Sequence, residues 1–292
     1  MGKKKKEREE SKGFGVWLLI VLGRFFWFLV RIPYFLGKYI FLFFRFLFNK
    51  SKKLPHVKDI RFTKGNIKDS SDDEVSFNVL ESVKGSFDDF FDYLRKNDSF
   101  IALTIGARGS GKTAVSLSFL EALRGSKKHY FAMGFSSDAL PEWIYLVDDV
   151  SKVKNDSLVV VDEGGILFSS RSSMSDANKL LSELLMIARH KNISIIFISQ
   201  NSSNLEVNTL RQADVLILKK HSLLQKNFER KIIAKLYEDY ESGFEKYKKS
   251  KGLSLVYSDL FVGFLDVGLP SFWSQKTSKS FEKSDKKKDE NQ

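Results

Sequence analysis

The chain has 292 residues, no cysteine, 42% hydrophobic and 29% charged residues, which suits one globular domain with an appendage and excludes a disulfide scaffold. Its net charge of +12 is unevenly placed: residues 1–56 hold 13 Lys/Arg against 3 Asp/Glu, and residues 57–292 hold 35 against 33. The basicity belongs to the N-terminus, so net charge alone does not make the rest a nucleic-acid binder.

Between Phe14 and Phe48, 27 of 35 residues are apolar, and the only charges are Arg24, Arg31, Lys38 and Arg45, spaced by seven. A seven-residue step falls about 20° short of two helical turns, so the four cations share one slowly drifting face. As one helix the segment would measure roughly 52 Å, against about 30 Å for a hydrocarbon core. Pro33 offers a break. Basic clusters flank both ends, Lys3 to Lys6 with Arg8 before and Lys50, Lys52 and Lys53 after. By the positive-inside rule both ends stay cytoplasmic, which favours a helical hairpin dipping into the bilayer or helices lying in its plane. The alternative is an aromatic-rich partner-binding helix. Residues 1–56 are thus expected to be a membrane-associated segment, with the following domain on the cytoplasmic side of a host or virion membrane.

Residues 57–74 turn polar and acidic and read as a linker, and residues 75–273 as the folded domain. Strands are expected at Val75–Leu80, Phe100–Ile105, His129–Met133, Leu158–Val161, Ile193–Ser199 and Val215–Leu218. Helices are expected at Ser86–Lys96, Lys112–Leu123, Asp176–Arg189 and Leu223–Glu241. That alternation implies an α/β fold with a central, mostly parallel sheet covered on both faces. Leu253–Leu269 reads as a hairpin added to the sheet edge. The tail, residues 274–292, is rich in Lys, Ser and Asp and is expected to be disordered.

Strand Phe100–Ile105 runs into Gly106-Ala107-Arg108-Gly109-Ser110-Gly111-Lys112-Thr113, which satisfies GxxxxGK[ST] between a strand and a helix. The glycines let successive N–H groups face phosphate oxygens, and the helix adds its positive dipole end. Lys112 is expected to bridge the β- and γ-phosphates of ATP, and Thr113 to offer its hydroxyl to Mg²⁺.

Leu158-Val159-Val160-Val161-Asp162-Glu163 is an apolar strand ending in two carboxylates, which are costly to bury unless a cation neutralises them. Asp162 is assigned to the metal's hydration shell and Glu163 to the attacking water. Gln200 ends the next apolar strand, on the edge that lines the ligand crevice. Arg189 and Arg211 are candidates for an arginine finger given to a neighbour's site, Arg211 from a place near the crevice rim, while His190 reads equally as a packing residue. Lys219, Lys220, Lys226, Arg230, Lys231 and Lys235 form the one sizeable basic stretch of the core, read as a solvated helix face ahead of a pore lining.

The order GARGSGKT, VVVDEGG, ARHKNISIIFISQ resembles the FtsK/HerA superfamily of P-loop motors. Within it, the sequence is most similar to the zonula occludens toxin (Zot) family of phage assembly ATPases and to viral genome-packaging ATPases, over roughly residues 100–220. The resemblance implies a RecA-like core, ATP hydrolysis between the subunits of a hexameric ring, and translocation of DNA or assembly of DNA-containing particles. Lys112 and Thr113 then become phosphate and metal contacts, Asp162 and Glu163 metal and water residues, and Gln200 the sensor. Zot proteins carry their membrane segment after the ATPase domain, whereas here it comes first. That leaves a membrane-anchored packaging motor as the leading reading, ahead of a Zot-like virion export ATPase handling capsid or coat protein, and of a nucleotide-binding scaffold without turnover.

Overall fold

The computed structural model describes residues 24, 27, 62–68, 75–163, 174–222 and 228–274. The chain divides into two units, residues 1–60 and 61–292. In the first, Arg24 and Trp27 are helical and Trp27 is exposed; the rest of the expected membrane segment lies outside the described residues, as does the tail beyond Ser274. Among the described residues no helix is long and apolar enough to cross a membrane.

The second unit is built on one ten-stranded sheet. Its strands are β1 (Thr63–Lys64), β2 (Phe77–Gly85), β3 (Ile101–Ile105), β4 (His129–Met133), β5 (Tyr145–Leu146), β6 (Ser157–Asp162), β7 (Ile193–Ser199), β8 (Val215–Leu218), β9 (Leu253–Ser258) and β10 (Phe261–Val267). The order across the sheet is β1-β5-β4-β6-β7-β3-β8-β9-β10-β2. From β5 to β8 every pairing is parallel, and β1 at one end and β9, β10 and β2 at the other join antiparallel. The strand after the acidic strand, β7, is inserted between β6 and β3, so the ends of all three adjoin.

Burial on both faces explains the sequence pattern. Every residue of β3, β6 and β7 is buried, as expected of parallel strands with helices on each side. Alternate residues serve opposite cores: Ile101, Leu103 and Ile105 with Phe131, Val159, Val161, Ile195 and Phe197 on one face, and Ala102 with Tyr130, Leu158, Val160, Ile196 and Ile198 on the other. Phe131 and Phe197 are each 1% exposed, and burying such a side chain contributes about 1.5–3 kcal/mol.

Two helices cover the second face, α1 (Phe87–Lys96), which supplies Phe90 and Leu94, and α2 (Lys112–Ala122), which supplies Val115, Leu117 and Phe119. Helix α3 (Met174–Lys191) covers the first face with Leu181, Leu184 and Ala188. Helix α4 (Val207–Gln212) adjoins α3, and α5 (Lys231–Asp239) and α6 (Glu241–Lys246) add Ile233, Leu236, Tyr237 and Phe244 to the same core. Ser86 caps α1, its hydroxyl accepting from the Asp89 N–H at 3.4 Å. Asn192, at φ 53°, makes the turn from α3 into β7, a conformation Asn tolerates better than most residues.

Three expectations are corrected. Of the helix read over Leu223–Glu241, residues 223–227 lie outside the described residues, and among the described ones the helix begins at Lys231, with Glu229 and Arg230 bonded to the loop after β7. The Leu253–Leu269 hairpin is not at the edge: β2 pairs outside it, and that strand runs to Gly85 rather than stopping at Leu80. Residues 62–68, expected as linker, join the sheet through the β1–β5 ladder and an Ile67–Pro141 bridge.

Candidate functional site

Gly106 to Thr113 connects β3 to α2. A Cβ on Gly106 would lie 2.6 Å from the Lys219 Cβ, so only glycine lets the loop leave β3 against β8. Gly111 opens α2 at φ 90° and offers no side-chain cap. The first amides of an eleven-residue helix therefore lack a side-chain acceptor at the cap position, where an anion is favoured.

Lys112 is 8% exposed, and its Nζ donates to the carbonyls of Gly106 and Ala107, both at 2.8 Å. Burial pulls the ammonium down to about 8, against the opposing charges of Asp162, Glu163 and Glu229. A phosphate would repair that desolvation. Among the described residues the buried Ser110 hydroxyl has no hydrogen-bond partner, which suits a polar ligand at this loop. Arg108 is exposed.

The two acids follow from strand β6. Asp162 pairs with Ile198 of β7, and Ile105 of β3 pairs with Ser199, so the phosphate loop, Asp162, Glu163 and Gln200 all emerge at one edge of the sheet. Asp162 is 6% exposed and Glu163 4%. The Thr113 hydroxyl donates to Asp162 Oδ2 at 3.3 Å. The Ser199 hydroxyl donates to Glu163 Oε2 at 2.5 Å, and the Asn204 side chain and Gln200 N–H bond to the same carboxylate. Burial pushes the Glu163 carboxyl up, and these three bonds oppose it. The Gln200 side chain is exposed beside them.

No cluster of three or more His, Asp or Glu able to hold a metal is found among the described residues. One carboxylate with one hydroxyl nevertheless fits Mg²⁺, which keeps several waters and takes few protein ligands beside substrate phosphates.

The two arginines lie elsewhere. β7 starts beside Ser157, at the edge opposite Asp162, and Arg189 is exposed at the end of α3 just before that start. Arg211 is exposed in α4, three residues before Asp214, whose carboxylate accepts from the Ile101 N–H at 2.8 Å where β3 begins. Five residues of β3 separate that point from the phosphate loop, about 16 Å at strand rise. Arg211 therefore does not sit at the rim of its own crevice. His190 is also exposed and makes no core packing.

The basic stretch is broken up as well. Lys219 is 2% exposed, beneath Gly106 and Gly111, with Nζ 3.4 Å from the Ser254 hydroxyl. Burial lowers its ammonium to about 8. Arg230 bonds the Ser202 and Leu205 carbonyls, Lys220, Lys231 and Lys235 are exposed, and Lys226 lies outside the described residues.

Sequence reasoning missed Ser199, Asn204, Glu229 and Arg230. A hydroxyl ending an apolar strand next to a paired acid is a usable signal for Ser199. Nothing local in the sequence marks the other three, whose partners are 25 to 41 residues away.

Residues 136–249 match the family model described as Zonular occludens toxin (Zot). The match spans both β6 with its acids and β7, and starts after the phosphate loop, so the loop motif is independent of it. Among solved structures, the genome packaging NTPase B204 from Sulfolobus turreted icosahedral virus 2, in complex with AMPPCP, is similar at 16% identity, covering 60% of this chain and 99% of that one, with TM-score 0.41. The pCW3 conjugation coupling protein TcpA is similar at 14% identity over 75% of this chain and 72% of that one, TM-score 0.42. The N-terminal domain of zonular occludens toxin from Neisseria meningitidis shares 20% identity over 41% and 76%, TM-score 0.27. No curated protein matches the sequence. Over residues 136–249 the chain is thus similar to the Zot family, one of the resemblances its motifs carry.

Proposed function

We propose that this chain is a membrane-associated ATPase motor with a RecA-like core, coupling ATP hydrolysis to DNA translocation or genome packaging. The observation that carries the catalytic part is the convergence of Lys112, Thr113, Asp162 and Glu163 at one sheet edge, with Glu163 buried and hydrogen-bonded. Lys112 and the amides of residues 106–113 bind the phosphates, and the buried Lys112 ammonium exchanges its carbonyl acceptors for a phosphate oxygen. Thr113 and Asp162 would hold Mg²⁺, which when bound supplies positive charge against the phosphate oxygens. Glu163 orients the attacking water and takes its proton, and Gln200, exposed at the rim, reaches the γ-phosphate side of the crevice. A scaffold has no use for a buried base. Arg211 and Arg189, both exposed, are the candidates for an arginine finger given to a neighbouring subunit's nucleotide in a ring, hexameric by the family resemblance.

The DNA-directed part rests on the resemblance, and the match to the Zot model favours a second reading, a virion assembly or export ATPase acting on coat protein. Duplex DNA, single-stranded DNA and coat protein should be compared as activators of hydrolysis by the full chain. The motor reading expects duplex DNA to raise turnover several-fold, with stimulation falling steeply as salt rises. Stimulation by coat protein alone would transfer the protein to the second reading.

The charge-interrupted aromatic run supports membrane association. The full chain is expected to float with anionic liposomes, and a chain lacking residues 1–56 to remain in the soluble fraction with its ATPase intact. Full-length protein that stays behind with anionic vesicles would remove the membrane from this account.

A further inference from the structure

The loop after β7 is tied down more thoroughly than a connection between a strand and the short helix α4 needs. Residues 202–204 form a single 3₁₀ turn capped by Asn201, whose side chain accepts from the Ser203 N–H at 2.8 Å. Glu229 accepts from the Ser202 N–H at 2.7 Å and from the Ser202 hydroxyl. The Arg230 N–H donates to the Ser202 hydroxyl at 2.9 Å, and its guanidinium donates to the Ser202 carbonyl at 3.0 Å and the Leu205 carbonyl at 3.1 Å. Glu229 and Ser202 are both buried. Asn178 of α3 closes the ring from the other side, its side chain donating to the Asn204 carbonyl at 2.9 Å.

What this loop carries is the set of donors to Glu163. Ser199 stands at its start, with a hydroxyl that gives its proton to Glu163 Oε2 at 2.5 Å and accepts from the Asn201 N–H at 3.4 Å. Asn204 stands at its end and bonds the same carboxylate, and Gln200 adds its N–H. Asp162 is turned the other way, toward Thr113. The two adjacent acids are therefore aimed in different directions by different partners.

We propose that Ser199 and Asn204 are positioning residues that set the direction of the Glu163 carboxylate, and that the Glu229–Arg230 pair is the latch that keeps the loop bearing them in register with the phosphate loop. The proposal rests on the reading of Glu163 as the base that orients water. Removing the Ser199 hydroxyl takes away one of the three bonds that fix the carboxylate's last torsion, so the water is held less well in line. A misplacement of about 1 Å at the reacting atoms costs roughly 10²-fold in rate. None of these residues belongs to the phosphate loop, so nucleotide binding should be indifferent to them.

The segment that includes the latch also supports the phosphate loop. Lys219 N–H donates to the Ile105 carbonyl at 2.8 Å, and Ala107 N–H donates to the Lys220 carbonyl at 3.1 Å. Lys219 and Lys220 thus hold the start of the nucleotide loop, as Glu229 and Arg230 hold the loop that carries the Glu163 donors.

The test uses the full chain in four forms, wild type, Ser199→Ala, Ser199→Thr and Arg230→Ala, each with three measurements: affinity for a fluorescent ATP analogue, nucleotide-free melting temperature, and steady-state kcat and KM. The expected result for Ser199→Ala is a fall in kcat of about 10–10²-fold with affinity and melting temperature unchanged. Ser199→Thr, which keeps a hydroxyl, is expected to recover most of the rate. Arg230→Ala should lower kcat in the same sense through the loop, again with affinity kept. If Ser199→Ala turns over like wild type, or if its affinity and melting temperature fall along with its rate, the positioning role is overturned. Absence of hydrolysis in the wild-type chain would instead strike the proposed function itself, which keeps the two failures apart.

Discussion

Glu163→Gln is expected to bind ATP as tightly as wild type and to lose at least about 10²-fold in kcat, the usual cost of removing a general base. The substitution is nearly isosteric in a site where the side chain is 4% exposed. The Ser199 hydroxyl and the Asn204 amide keep an oxygen to bond to, so the fold has little reason to change. What is lost is the capacity to take a proton. Equilibrium binding of a nucleotide analogue, measured beside phosphate release, separates the two effects. Wild-type turnover in Glu163→Gln would show that another group serves as base.

Lys112→Ala should act one step earlier. The buried ammonium donates to two backbone carbonyls, and burial has already lowered its proton affinity to about 8. A phosphate supplies the missing negative charge through charge-assisted hydrogen bonds, each worth about 1.5–3 kcal/mol, so truncation should weaken ATP binding by roughly 10–10²-fold and more where two phosphates are bridged. Turnover at saturating ATP should fall as well, because the same ammonium faces the transferring group. Titration of nucleotide into Lys112→Ala is the measurement, with the ligand-free melting temperature as the control for folding. Unchanged affinity would remove Lys112 from the phosphate site.

The parts of the fold that were legible in the sequence are those where one physical signal dominates. The mostly apolar runs His129–Met133, Ile193–Ser199 and Val215–Leu218 have the bounds the sequence implied, because strands buried on both faces carry few polar residues. The glycine spacing before Lys112 identified the phosphate loop for the same reason: backbone conformation and close approach leave few alternatives. Where long-range partners decide, the sequence was mute. Lys219 reads as one more cation in a basic run, and only the contact of Gly106 and Gly111 above it reveals that it is buried. Arg230 has the helix propensity of its neighbours, yet its side chain is committed to the carbonyls of a loop 25 residues earlier, so α5 starts after it. β2 was cut short because its residues are mostly exposed, and an edge strand lacks the apolar run that marks the central ones.

The candidate site divides along the same line. Residues assigned through a motif, Lys112, Thr113, Asp162 and Glu163, were readable and converge in space. Those that act by holding others, Ser199, Asn204, Glu229 and Arg230, were not, since a hydroxyl or an amide gains its role from the atom it faces. Arg211 shows the limit of sequence proximity: Asp214, three residues on, accepts from the Ile101 N–H where β3 begins.

The claim that this site hydrolyses ATP, rather than merely holding it, is met most directly by a single-turnover experiment. Full-length protein in excess over γ-labelled ATP is mixed with Mg²⁺, quenched in acid at intervals, and assayed for free phosphate. The account predicts release that approaches one phosphate per bound nucleotide, and that is abolished both by chelating the metal and by Glu163→Gln. Recovery of intact ATP from the wild-type protein, with binding demonstrated in the same tubes, would contradict it.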